Sequence, residues 1–296
     1  MKMKSDEKYK VIFNDISVNL FHFLSQLSLS KRVLDLCRFQ LFFNPSLWWD
    51  LRNAISPIFI CLCRFVEGLL PYSRSKKKLH LIHIGKCAGT SIRKKILVSE
   101  KVSCYSKVII THVVRPIYSS RDDHVLLLRG PISRSLSAFN WRYHLVVEQG
   151  KQSNRFRGEK NILLKYQNLN ALAESLYSKD GRPNKKVCGE YNSIHHLRES
   201  ISYYLTPQFF DLDPFQLLGV ICQNDLQACC ADVLGISEIP QINSYGSKSS
   251  VSIENSLSKV AQTNLRKFLK SDYAAIAKLY AMGYLSPVNF EILMQN

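Results

Sequence analysis

Leu79-His-Leu-Ile-His-Ile84-Gly85-Lys86-Cys87-Ala88-Gly89-Thr90-Ser91 is the stretch that decides the fold. Its first six residues are β-prone and largely apolar and are bounded by a glycine, which predicts a short strand. Gly85 to Thr90 predicts a tight loop, and Ser91 to about Val98 a helix. A strand, a glycine-bearing loop and a helix start in direct succession expose backbone N–H groups at a helix N-terminus. Those groups are unpaired and positively polarised, so they bind phosphate. Gly85 and Gly89 permit the tight turn and close backbone approach, Cys87 and Ala88 carry the chain between them, Thr90 and Ser91 add hydroxyls, and Lys86 adds a mobile positive charge. The segment reads as a phosphate cradle. It is not the G-x-x-x-x-G-K-S/T loop of ordinary nucleotide hydrolases, because Lys86 precedes the second glycine and no lysine stands before Thr90.

On either side of this loop the pattern repeats as strand and helix. Lys107-Val-Ile-Ile-Thr-His112 predicts a second strand, and Val125-Leu-Leu-Leu-Arg129 a third, apolar enough to be buried on both faces of a parallel sheet. Pro131 stands where helix starts prefer it and leads a helix to about His144. Residues 148–160 are polar and basic and read as a surface loop; helices are expected at 161–178 and 195–205. Leu217-Leu-Gly-Val-Ile221 predicts a late core strand with a helix from Leu226. Ile242 to Ser250 reads as a loop, and helices at about 255–270 and 272–282 follow. Strands alternating with helices predict an α/β fold with a parallel sheet.

A second constellation sits beyond the third strand. Leu128-Arg129-Gly130-Pro131-Ile132-Ser133-Arg134-Ser135-Leu136-Ser137 places Arg129 at a strand end and Ser137 two turns into the helix. Such an arginine grips a phosphate bidentately while the serine donates from the helix. Two phosphate grips on adjacent strands suit a nucleotide phosphorylated at both its 5′ and 3′ positions.

At these residues the chain resembles the sulfotransferases that use 3′-phosphoadenosine 5′-phosphosulfate (PAPS), of the carbohydrate O-sulfotransferase type. The family's 5′-phosphosulfate loop resembles H-I-P-K-T-A-G-T-S, and here reads His83-Ile84-Gly85-Lys86-Cys87-Ala88-Gly89-Thr90-Ser91. Its 3′-phosphate motif resembles L-R-D-P-x-x-R-x-x-S, matched by Leu128 to Ser137. Gly219 in a late strand and Pro240-x-x-Asn243 also fit, more weakly. Gly85, Cys87 and Gly130 depart from the family's Pro, Thr and Asp. The resemblance spans about residues 79–285 and implies a three-layer, P-loop-like parallel-sheet fold. It implies PAPS as donor with no metal, a carbohydrate hydroxyl as acceptor, and 79–296 as the catalytic domain. It further implies that Gly85 to Ser91 hold the 5′-phosphate, that Arg129 and Ser137 hold the 3′-phosphate, and that Lys86 meets the charge on the leaving oxygen. His112, ending the second strand, is the expected base, with Asp122 and Asp123 in reserve. Arg134 is expected to be structural or a rim charge, His195 and His196 surface or acceptor-cleft residues, and Lys248 a solvated loop lysine.

The composition bounds the rest. Of 296 residues, 40 are Lys or Arg against 23 Asp or Glu, a formal charge of +17 that favours anionic partners; 46% hydrophobic content excludes a wholly disordered chain. An acceptor glycan that is itself anionic fits that charge. Residues 1–78 read as a helical N-terminal extension. Its most apolar run, Ala54 to Cys63, is too short to span a bilayer, while Trp48, Trp49 and the basic residues Arg74, Lys76, Lys77 and Lys78 suit peripheral membrane contact. The first twenty residues show no cleavage site after an apolar core and the 9 cysteines are scattered, so a reduced, cytoplasmic setting is expected, with the Golgi lumen as the eukaryotic alternative. The rival readings are a P-loop kinase or NTPase, which requires an acidic metal-holding residue at a strand end where Arg129 stands, and a basic nucleic-acid- or membrane-binding protein with a degenerate nucleotide site. No nucleic-acid reading motif is legible, so nucleic acid is not the expected partner.

Overall fold

The computed structural model describes residues 77–113, 115–116, 118–153, 155–212, 216–239 and 257–295. The helical extension expected over 1–78, up to Lys76, with Trp48-Trp49 and the apolar run at 54–63, the expected loop carrying Lys248 and the Pro240-x-x-Asn243 motif lie outside these residues. Four strands form one sheet: β1 (Lys78–His83), β2 (Lys107–His112), β3 (Asp123–Leu128) and β4 (Leu217–Cys222), in the order β2-β1-β3-β4 and parallel throughout. The expected α/β class with a parallel sheet is therefore present. Leu79, Leu81, Ile82 and Val125 to Leu128 are all fully buried, which is why these strands read as nearly continuous apolar runs.

Helices fill the connections. α1 (Gly89–Ile96) and α2 (Glu100–Ser103) link β1 to β2. Between β3 and β4 come α3 (Pro131–Tyr143), which runs on into a π-helical turn at His144–Glu148, then α4 (Glu159–Tyr166), α5 (Leu169–Glu174), α6 (Lys185–Tyr191), α7 (Ile201–Tyr204) and α8 (Pro207–Phe210). After β4 follow α9 (Leu226–Leu234), α10 (Lys259–Phe268), α11 (Lys270–Ala281) and α12 (Pro287–Gln295). Among the described residues no helix is long and apolar enough to cross a membrane.

Several local expectations change. The helix expected over 161–178 is broken at Gln167, whose φ of 62° lies in the left-handed region, and α5 restarts behind an Asn168 side chain that accepts the Ala171 N–H. The helix expected over 195–205 shrinks to α7. Ahead of it, residues 192–199 are turns, because Glu199 and Asp272 accept backbone N–H groups that a continuous helix would have used internally. Lys77 and Lys78, counted among the basic residues suited to membrane contact, are held at the sheet: Lys77 pairs with Asp123 at 2.9 Å and Lys78 opens β1.

A parallel sheet has two chemically different ends. At the N-terminal end, Asp122 accepts the Lys78 N–H (3.0 Å) and contacts His80 (3.1 Å), whose ring stacks on His124. Burial alone would raise the Asp122 carboxyl, but the His80 ring and the Lys78 N–H bring it down to about 2. Its stabilisation is thus complete above the unfolded value near 3.8 and is lost as pH falls through about 2. Asp122→Asn is expected to cost about 2 kcal/mol at pH 7 and much less at pH 2. Urea melts of both chains at the two pH values check this; a pH-independent difference would refute the ionic origin.

Candidate functional site

Order β2-β1-β3-β4 sends the chain from β1 to one side and from β3 to the other. The crevice beyond the C-terminal ends of β1 and β3 is therefore the switch point, where open α/β sheets bind ligands. The 84–88 loop and Arg129 both stand there. Lys86 (φ 72°) and Ala88 (φ 60°) adopt left-handed backbone to make the turn. Cys87 N–H donates to the Ile84 carbonyl, and Ser91 N–H to the Ala88 carbonyl, which closes the turn onto α1.

α1 and α3, the helices that begin here, have Ala88 and Gly130 as N-caps, and neither receives a side-chain cap. Asn168, Asn184, Ser200 and Ser258 cap α5, α6, α7 and α10, while α2, α4, α8, α9 and α11 also lack a side-chain cap. No acidic residue occupies the first turn of α1 or of α3. Two helix N-termini without side-chain caps thus open beside Lys86 and Arg129, an arrangement suited to anions.

The loop glycines are required by close packing. A Cβ on Gly89 would lie 2.1–2.4 Å from ring atoms of His83, and one on Gly85 would lie 2.5 Å from Nδ1 of His196. Lys86 is half-buried; burial first, then the Arg129 charge, lower its ammonium to about 8, and it lies 5.0 Å from the centre of the Trp141 ring. Cys87 is buried, which pushes its thiol up to about 12 and leaves it protonated and unreactive. Thr90 is exposed and Ser91 buried, so only Thr90 reaches open solvent from the loop's hydroxyl pair. Arg129 donates from Nε to Ser133 Oγ (3.3 Å) and from Nη1 to the Lys86 carbonyl (3.4 Å). Ser133, which sequence reading passed over, donates in turn to the Gly130 carbonyl and so sets the guanidinium plane. Ser137 lies further along α3, partly exposed.

Arg134 is no rim charge. It is fully buried, and its Nη1 donates to the His196 carbonyl (2.8 Å) and the Gly85 carbonyl (3.5 Å), tying the loop to a distant segment. Its Nε and Nη2 have no hydrogen-bond partner among the described residues. This is a cationic floor under the loop.

The expected bases separate cleanly. His112 sits at the C-terminal end of β2, opposite His83 in register and stacked on it with centroids 4.1 Å apart. Its Nδ1 lies 3.1 Å from the His83 carbonyl; a carbonyl only accepts, so Nδ1 carries the proton and Nε2 the lone pair. Burial lowers its pKa, which keeps the ring neutral at pH 7. Asp122 and Asp123, the reserve candidates, lie at the other end of the sheet, where Asp123 pairs with Leu79 in register and holds Lys77 and Tyr105. Parallel pairing puts the start of β3 beside the start of β1, a strand's length from the loop, and removes both from the site.

His195 and His196, expected to be surface or acceptor-cleft residues, are buried, which removes the surface half of that expectation. Their rings stack at 4.0 Å, and His196 lies 5.5 Å from His112. His83, His112, His196 and His195 therefore form a continuous row of imidazoles under the loop. Burial and neighbouring positive groups hold His83 and His196 well below the usual histidine range. A pattern of single histidines at strand ends and one His-His pair was the only trace of this row in the sequence.

Comparison of the chain with protein-family models, with curated proteins and with solved structures gave no match.

Proposed function

We propose that the chain is a PAPS-dependent O-sulfotransferase with the three-layer, P-loop-like fold of that family, acting on a carbohydrate hydroxyl. The observation that carries the reading is the meeting of the Lys86 loop and Arg129 at the β1/β3 switch point, over two uncapped helix N-termini. The partnerless Nε and Nη2 of the buried Arg134 fit an anionic ligand at the same place. When bound, the donor supplies the sulfuryl group and a phosphate that leaves from it. The Gly85–Ser91 segment holds the 5′-phosphate through the backbone N–H groups that its own turn does not use and through the Thr90 hydroxyl, and Arg129 and Ser137 hold the 3′-phosphate. His112 Nε2 takes the proton from the acceptor hydroxyl as its oxygen bonds to sulfur, and Lys86 places its ammonium against the departing phosphate oxygen. These roles need no metal ion. An anionic glycan as acceptor, and a cytoplasmic setting with membrane contact through residues 1–78, belong to the same proposal.

Thermal shift with 3′-phosphoadenosine 5′-phosphate, run beside ADP and Mg-ATP, tests it. A ligand at 100 times its Kd stabilises by about 2.7 kcal/mol. Stabilisation by the 3′-phosphorylated nucleotide without Mg²⁺ is expected; a response to Mg-ATP alone would make the chain a kinase or NTPase.

Arg129→Ala is expected to weaken that nucleotide by about 1.5–3 kcal/mol, and unchanged affinity would remove the 3′-phosphate assignment. Lys86→Ala is expected to keep nucleotide binding and lose transfer. Because burial and Arg129 bring Lys86 to about 8, kcat/KM should fall as pH rises through that value, and Lys86→Arg should flatten that alkaline limb.

A further inference from the structure

Behind the loop, on the side of Gly85 facing α7, lies a cluster that the transfer reading does not use. One donor atom from each of His195, His196 and Glu199 lies within 4.8 Å of the other two, and all three residues are buried. Nδ1 of His195 stands 3.3 Å from Oε2 of Glu199. That separation equals the edge of a tetrahedron with metal–ligand bonds of about 2.0 Å. Nδ1 of His196 is buried with no hydrogen-bond partner among the described residues, an unanswered polar nitrogen facing Gly85.

The backbone is bent to make the cluster. Consecutive side chains in extended or helical chain diverge, yet these two rings stack, because His196 has φ 68° in the left-handed region. A histidine there costs of order 1–3 kcal/mol and persists only when its surroundings hold it. The Arg134 bond to the His196 carbonyl and the Glu199 bond to the His196 N–H (2.6 Å) do so, and Glu159 accepts the His195 N–H (2.9 Å).

We propose that His195, His196 and Glu199 form a binding site for one divalent transition-metal ion of the zinc, cobalt and nickel kind. Two imidazoles and one carboxylate are the ligand set such ions prefer. The third donor comes into bonding range by rotation of an imidazole about χ2, and solvent or an anionic ligand completes the coordination. The Arg134 and Arg198 guanidiniums nearby oppose any cation, so the site rejects Mg²⁺ and Ca²⁺, which gain only one carboxylate here. It accepts ions that gain strongly from imidazole nitrogen. The site is independent of the sulfotransferase reading and stands or falls separately from it.

Calorimetric titration of the full chain with Ni²⁺, and separately with Mg²⁺, is the test, with Co²⁺ absorption as the report on ligands. One Ni²⁺ per chain at micromolar affinity is expected, with no heat from Mg²⁺. Co²⁺ should give visible d–d bands without a thiolate charge-transfer band, since no cysteine is in the ligand set. His195→Gln and His196→Gln should each lower Ni²⁺ affinity at least tenfold, with an unchanged circular dichroism spectrum showing that the fold is kept. His144→Gln, at the separate His144–Glu148 contact, should leave the affinity unaltered. No Ni²⁺ heat, a thiolate band, or affinity that survives both substitutions at 195 and 196 would overturn the site. Should His196→Gln fail to fold, the His195→Gln titration and the cobalt spectrum decide it.

Discussion

Glu159→Gln is expected to lower the unfolding free energy by about 3–5 kcal/mol, the largest stability loss of any single substitution considered. Arg142 and Glu159 are each about 1% exposed and meet fork to fork, Nε to Oε1 at 2.9 Å and Nη2 to Oε2 at 2.6 Å. Removing the carboxylate charge leaves a buried guanidinium answered by neutral groups alone: one amide oxygen at position 159, the Gln152 side-chain oxygen and the face of Phe156. Glu159 also accepts the His195 N–H, so the substitution loosens the turn that carries the histidine pair. Arg142→Met should cost a similar amount. The double substitution Arg142→Met with Glu159→Leu should cost clearly less than the sum, since neither charge is then left alone. Urea denaturation of the four chains gives the cycle. Additive losses, or a Glu159→Gln loss under 1 kcal/mol, would show that the pair is not a buried ionic unit.

Gly89→Ala is expected to lower the affinity for 3′-phosphoadenosine 5′-phosphate at least a hundredfold, about 2.7 kcal/mol. The added methyl would stand 2.1 Å from Cδ2 and 2.2 Å from Nε2 of His83. That ring cannot retreat, because it is buried and stacked on His112 at 4.1 Å, and His112 adjoins His196. The start of α1 must move instead, which withdraws the N–H groups that would face a 5′-phosphate. Gly85→Ala meets Nδ1 of His196 at 2.5 Å and should act in the same direction. The nucleotide thermal shift reads both. A Gly89→Ala chain that binds as wild type would refute the helix-terminus cradle, even if Arg129→Ala still weakened binding.

Much of the site was legible in residue order. The strand-glycine-helix order appears as the pattern placed it, with the loop shorter than expected because α1 begins at Gly89 rather than Ser91, and Arg129 stands at a strand end beside that loop, as read from the apolar run before it. Ser133 was missed because a serine one turn into a helix carries no signal until the arginine it orients is seen beside it. α12 was missed because its residues show no strong apolar face. Asp122 and Asp123 were kept as reserve bases although they lead into the third strand, because the sequence does not show that parallel pairing puts that strand start at the end of the sheet away from the loop.

The strands, the loop between two glycines and the Pro131 helix start follow from local features: apolar runs, turn residues and a fixed proline φ act within a few positions of chain. No such local rule brings His83, His112, His195 and His196 into one row, pairs Arg142 with Glu159, or sets Arg134 under Gly85. Apart from the adjacent His195–His196 stack, those contacts join residues 17 to 84 positions apart. They exist because parallel strands gather their C-terminal ends on one edge and the α3–α8 excursion folds back over it. Side chains that period alone assigns to a surface then share a buried, positively charged floor.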